Sequence, residues 1–135
     1  EIKSGLIFDP IKNEIFYAEK NNGAFFNNER IRVSKKNELS ECLFATGGKK
    51  YNSINEISTR KSGCAALDLA YVASGRYDGY CQSNLNLWDI AAGLIIIKEA
   101  GGIINDIDLK NHKNLNVIAS SPNINDKFIK KISNF

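Results

Sequence analysis

One carboxylate in this chain of 135 residues stands out by its setting. Asp89 sits in Trp88-Asp89-Ile90-Ala91-Ala92-Gly93, which runs on through Leu94 to Glu99-Ala100-Gly101-Gly102. The stretch from Ile90 to Ile97 is apolar and broken only by small residues, so it predicts a helix buried on every side. The paired glycines are its stop signal. An aspartate at the start of such a helix accepts the free N–H groups of the first turn and sits at the positive end of the dipole. Asp89 is then either a cap alone or a carboxylate fixed on a rigid, dry element, able to ligate a metal or move a proton. Gly63-Cys64-Ala65 opens a second predicted helix. Small residues there let backbone N–H groups approach an anion, although plain helix initiation accounts for the same residues.

Other chemistry-bearing residues are less well placed. Asp68 is expected along a helix flank and Asp106 and Asp108 near a strand end, and none makes a second site with Asp89. His112 is the only histidine and lies in a polar loop, so it is assigned no role. Cys42, Cys64 and Cys81 form no CxxC pair, and their odd number argues against a disulfide framework or a zinc site. Buried thiols in a reducing cytoplasm are the expectation.

The elements that must position these residues read as two parts. Gly5 to Phe8, Glu14 to Ala18, Ala24 to Phe26 and the alternation of Arg30, Ile31, Arg32 and Val33 are four short strands. Asp9-Pro10 with Asn13, then Asn21-Asn22-Gly23, then Asn27-Asn28 supply the turns between them. Phe8, Phe16, Tyr17, Phe25 and Phe26 are expected to form one packing face. Leu43 to Ala45 is a buried strand. Lys49 to Lys61 is polar, with weak periodicity in Ile54 and Ile57. Cys64 to Ser74 is a helix stopped by Gly75, Tyr77 to Cys81 a strand, and a loop with Asn84 and Asn86 leads to the Trp88 helix. Ile103-Ile104 and Val117 to Ala119 are further strands. Ser121-Pro122 starts a final helix whose face carries Ile124, Phe128, Ile129 and Ile132. The pattern predicts an α/β fold, an α+β layered sandwich: a short antiparallel meander over residues 1–40, then over 41–135 a mixed sheet flanked by helices.

Hydrophobic residues make up 43% and charged residues 24%, enough for a real core in one compact unit. The net charge of +3 is mild. The lysine pairs Lys35-Lys36, Lys49-Lys50 and Lys130-Lys131 never merge into a long basic block, so nucleic acid is not expected as a main partner. No apolar run reaches the roughly 18 residues of a membrane span, no secretory leader is expected, and the cytoplasm is the expected location. The chain has no methionine and begins Glu1-Ile2-Lys3, which suggests a fragment, a cut chain or a split product.

The Trp88 to Gly102 pattern resembles the C-terminal signature of the inositol monophosphatase family, which are magnesium-dependent phosphomonoesterases. Gly5-Leu6-Ile7-Phe8-Asp9-Pro10, Gly23 to Asn27, Ile31-Arg32-Val33-Ser34, Gly63 to Arg76 and Asp78-Gly79-Tyr80 follow in the family's order. The resemblance covers nearly the whole chain but only about the second half of the family's usual length. It implies Mg2+ as cofactor, with Asp89 as metal ligand and catalytic carboxylate, and substrate contacts from Gly63, Cys64, Ala65, Gln82 and Asp89. At Gln82 the family often carries a carboxylate that binds a substrate hydroxyl; Gln keeps hydrogen-bonding capacity without the charge. The region between Thr46 and Gly63 is shorter than usual in the family. The other metal carboxylates, including an Asp-Pro-Leu-Asp-Gly-Thr-like element, belong to the missing half, so this chain alone is expected to be inactive. The implied substrate is inositol monophosphate or a related small phosphate ester, and the complete protein is implied to be a homodimer. Relatives acting on nucleotide, fructose or histidinol phosphates, or serving as a non-catalytic regulatory module of the same fold, are the alternatives.

Overall fold

The computed structural model describes residues 1–51, 54 and 56–133; Asn52, Ser53, Asn55, Asn134 and Phe135, at the edges of the predicted polar segment and final helix, lie outside the described residues. The first sheet is an antiparallel meander of β1 (Ser4–Asp9), β2 (Glu14–Glu19), β3 (Gly23–Phe26) and β4 (Glu29–Arg30). Asparagines make its turns possible. Asn13, Asn21, Asn27 and Asn28 all have positive φ, a region their short polar side chain tolerates better than most. Asp9 Oδ1 accepts the Ile11 and Lys12 N–H groups at 3.0 and 3.3 Å, which closes the first turn.

The second sheet holds β5 (Leu43–Thr46), β6 (Ser58–Arg60), β7 (Gly79–Leu85), β8 (Ile103–Ile104) and β9 (Leu115–Ser120), in the order β6-β5-β7-β9-β8. β5 runs parallel to β6 and β7, and β9 antiparallel to β7 and β8, so the sheet is mixed as expected. Helices α1 (Ala65–Ala73) and α2 (Leu87–Glu99) lie between the two sheets. One apolar cluster joins Ile7, Phe16 and Ala24 of the meander to Leu69, Ile90, Ile96, Tyr80 and Val117. Helix α3 (Asn125–Ser133) covers the opposite face of the second sheet, where Phe128 stacks on Phe44 at 4.3 Å between ring centroids. The architecture is therefore sheet, helix pair, sheet, helix.

Both central helices end in the same way. Gly101, at φ 87°, follows the Ala100 cap, and the N–H groups of Gly101 and Gly102 reach Lys98 O and Ile97 O at 3.1 and 2.9 Å. Gly75 and Arg76 repeat this on Val72 and Tyr71. These are Schellman ends, which need a left-handed residue just past the helix. Gly93 lets the helices touch, since a Cβ there would lie 2.7 Å from Leu69 Cβ. Arg76 ties α1 to the meander. Its guanidinium pairs with Glu14 and lies 4.7, 4.9 and 5.5 Å from the ring centroids of Tyr71, Phe26 and Phe16.

Several expectations need correction. The meander's aromatic residues do not share a face: Phe16 and Phe26 turn inward, whereas register puts Phe8 opposite Ile15 and Tyr17 opposite Leu6 on the outer, exposed side. The fourth strand is Glu29–Arg30; Ile31 and Val33 are half-buried, and their N–H groups bond to Ala24 O and Ala100 O. The polar segment hides a strand, β6, with Tyr51 and Ile54 buried against α3. β7 runs on to Leu85 and is irregular between Gln82 and Leu85, where Asn84 has φ 61°. The last helix is preceded by a 3-10 turn, Pro122–Ile124, and Ile129 faces outward.

Candidate functional site

Asp89 is not the cap of α2. Asn86 holds that position in extended conformation, and Asp89 stands three residues on, where its Oδ2 accepts the Asn86 N–H at 3.0 Å. This is the return half of a capping box. The shift follows from where β7 stops: Leu85 is the last strand residue, so the chain turns into the helix before Trp88. Trp88 itself is 66% exposed and anchors nothing in the core. Asp89 is half-buried, and its Oδ1 accepts no hydrogen bond among the described residues. A carboxylate with one oxygen tied to backbone and one free is a fixed, directional acceptor.

The start of α1 is built differently. Cys64 is the cap by position, but its thiol makes no capping bond. Ser62 takes over from two residues upstream. Its Oγ accepts the Cys64 N–H at 3.1 Å and donates its own proton to Asp68 Oδ1 at 2.7 Å. Gly63 between them has φ 84°, which lets the chain fold back. Asp68, expected along a helix flank, is 1% exposed. Burial pushes its carboxyl up to about 6, against a smaller downward effect of the Ser62 hydrogen bond. The N–H groups of Ala65, Ala66 and Leu67 have no partner within the helix.

Gln82 lies on β7, the strand that leads into α2. The Tyr80 hydroxyl donates to Gln82 Oε1 at 2.6 Å. A Cβ on Gly47 would fall 1.8 Å from that same oxygen, so residue 47 must lack a side chain for Gln82 to lie as it does. With Oε1 engaged, the amide N–H pair is the end Gln82 has to offer. Tyr80 is fully buried, and burial raises its pKa. The charge of Asp68, and with less weight that of Asp89, pushes the same way. Tyr80 thus feels acidic residues of both helices and donates to Gln82.

The remaining candidates fall outside this group. Asp106, Asp108 and His112 are exposed; Asp108 closes its own turn by accepting the Lys110 N–H at 3.0 Å, and His112 contributes only a carbonyl, to the Leu87 N–H at 2.9 Å. Cys42 and Cys81 are buried, with thiols pushed up to about 11 and about 12 by burial, but Cys64 is exposed, contrary to expectation, because it stands at a helix start on the surface. A separate groove, lined by Leu94, Lys98, Glu99, Asn105 and Ile107, lies toward the other end of α2 and holds none of the expected site residues. Ser62 and Tyr80 were missed. The only sequence signal for Ser62 was a serine just before a glycine and a helix, and for Tyr80 an alternation with Gln82.

No helix among the described residues is long and apolar enough to cross a membrane. A layered α/β sandwich with two helix starts gathered at one strand end defines a phosphatase-like fold. The chain belongs to the inositol monophosphatase family, whose model matches residues 1–135. It is 44% identical to a "Fructose-1,6-bisphosphatase/inositol-1-monophosphatase" of Thermotoga maritima, over 98% of this chain and 56% of the relative. It is 38% identical to the "Nus factor SuhB" of Haemophilus influenzae, over 95% of this chain and 54% of the relative. An IMPase structure from Thermotoga maritima superposes with a TM-score of 0.89 at 39% identity, covering 99% of this chain and 57% of that one. The chain spans about half the length of the curated relatives it matches. Several relatives are named as Nus factors and not as enzymes, so the expectation against a nucleic-acid role rests on charge pattern alone.

Proposed function

We propose that this chain is the C-terminal part of a magnesium-dependent phosphomonoesterase acting on inositol monophosphate or a related small phosphate ester. The observation that supports the reading is the grouping of the Asp89 carboxylate and the α1 start around Tyr80. Asp89 is an oxygen donor of the kind Mg2+ takes, and its free Oδ1 fits one ligand position. Among the described residues no group of three or more His, Cys, Asp or Glu is placed to hold a metal, so Asp89 fits a shared site completed by residues beyond this chain. Magnesium held there would neutralise the phosphate and activate a water. The chain's own contribution is positional: Asp89 fixes one face of the site, the N–H groups at Ala65 and Ala66 meet an anionic or hydroxyl group, and the Gln82 amide meets a lone pair. Residues 1–40 are proposed as part of a larger N-terminal sheet and 41–135 as the C-terminal unit, in a protein that is cytoplasmic and dimeric when complete.

The test is phosphate release from inositol monophosphate with Mg2+, assayed on the 135-residue chain and on a chain of the relatives' length carrying these residues. Turnover at an enzymatic rate by the long chain only is expected. No turnover by the long chain would refute the reading. The match to a protein named Nus factor SuhB supports a second reading, a regulatory role without catalysis. The two part on whether Asp89→Asn removes the protein's cellular role along with its phosphatase activity.

A further inference from the structure

Among the described residues the Asp68 charge has no counter-ion. The structure gives its carboxylate one side-chain hydrogen bond, from Ser62, and a fully buried carboxylate with a single neutral donor is a destabilising arrangement. Its surroundings offer little relief. Tyr80 and Tyr77 approach from the β7 side, and both phenols are held up by burial with the Asp68 charge adding to the effect. Arg60 and Lys12 act on Tyr77, and Cys64 and Asp89 on Tyr80; burial first and Ser62 second account for the shift on Asp68 itself. An asparagine would fill the same space without the charge.

What the charge supplies is direction. An ionised carboxylate only accepts, whereas a carboxylic acid or an amide also donates. Facing an acceptor-only group, the Ser62 hydroxyl must point its proton at Asp68, which leaves its lone pairs for the Cys64 N–H. The chain of bonds Cys64 N–H to Ser62 Oγ–H to Asp68 has one polarity because Asp68 is charged.

We infer that Asp68 and Ser62 are positioning residues that hold the Gly63–Cys64 turn, and so the orientation of the α1 start, by fixing the polarity of this hydrogen-bond chain. The inference rests on the proposed site only for its purpose; the geometry stands on the chain alone. Protonation of Asp68, near pH 6, replaces a charge-assisted bond by a weaker one whose direction is no longer fixed, and so weakens the hold of Ser62 on the Cys64 N–H. The turn then loosens as pH falls, and a phosphatase built on it loses substrate affinity before it loses turnover.

The experiment is amide hydrogen exchange at Cys64, read by NMR on this 135-residue chain without substrate. Ser62→Ala and Asp68→Asn should each speed Cys64 exchange several-fold with no matching loss of protection at Val72 and Ile96, deep in α1 and α2, and Ser62→Thr should restore the slow rate. A purely structural role for Asp68 predicts no selective change at Cys64, because relief of a buried charge acts on the whole fold at once. In the unaltered chain, the Cys64 amide resonance should titrate with the same midpoint as the Asp68 carboxyl carbon, and this second measurement stands if a variant fails to fold. Unchanged Cys64 exchange in Asp68→Asn, or a Cys64 amide that does not move while Asp68 titrates, overturns the inference. Neither outcome depends on whether the complete protein is a phosphatase.

Discussion

The two central helices begin side by side, end in the same Schellman geometry, and solve their first turns in opposite ways. α2 uses a local device: Asn86 and Asp89 form a reciprocal cap, and the carboxylate keeps one oxygen free at the site. α1 uses a buried one. Its cap position is a cysteine that caps nothing, and the work passes to Ser62, held in turn by Asp68 from inside the helix. One acid is presented to the proposed site; the other is buried. Similar residues near two adjacent helix starts therefore have different duties, decided by depth and not by residue type.

That contrast can be broken most forcefully at Asp89. In a chain of the relatives' length, Asp89→Asn should lower kcat/KM for inositol monophosphate about a hundredfold or more, the size expected when a charged group acting on the transition state is removed. Asn still accepts the Asn86 N–H, so the loss of stability should stay below about 1 kcal/mol, the worth of one first-turn charge on a helix dipole. Activity that survives with stability reduced would make Asp89 a cap and nothing more.

The next effect is the pH dependence from Asp68. Its folded-state pKa lies above its unfolded value, so the folded chain holds this proton more tightly between about pH 4 and 6. Its contribution to stability is full below about pH 4 and is lost as pH rises through 6, a change on the order of 2–3 kcal/mol for a shift of this size. Urea unfolding of the native chain and of Asp68→Asn across this range should show curves that diverge as pH rises. Parallel curves would mean that Asp68 is solvated.

The smallest effects lie between the helices, at Gln82. Gly47→Ala should push Gln82 off Tyr80 and cost about 1 kcal/mol, the worth of one hydrogen bond. The cost should shrink in a Gln82→Ala background, as a double-mutant cycle would measure. Gln82→Glu should improve the specificity constant for inositol phosphate, relative to a simple phosphomonoester, by up to about tenfold, since a charged acceptor binds a hydroxyl more strongly. An unchanged ratio would place Gln82 outside the site.

Much of this was legible in the chain because the signals are local. The long apolar run after Asp89 and the glycines at 75 and 101 fix helix ends without help from the rest of the fold. The asparagine turns of the meander were read for the same reason. What stayed hidden depends on partners far away in sequence. β6 is polar and half-exposed, and it is a strand because β5 offers it an edge. Phe8 and Tyr17 point outward because register, not composition, assigns faces. Asp68 was placed on a flank because helical periodicity alone does not say how deeply α1 is sandwiched, and its link to Ser62 crosses a glycine that reverses the chain. At the proposed site, Asp89, Gln82 and the α1 start are candidates that the sequence offers, while the Ser62–Asp68 chain and the engagement of Gln82 by Tyr80 show only in the fold.

The most direct test of the division between the two acids needs only this chain. Urea unfolding of Asp68→Asn and Asp89→Asn, side by side at pH 7, should give changes of opposite sign: a gain of about 1–3 kcal/mol at the hidden acid, from relief of its buried charge, and a loss below about 1 kcal/mol at the presented one. Two losses, or two gains, would contradict the assignment of one carboxylate to depth and the other to the site.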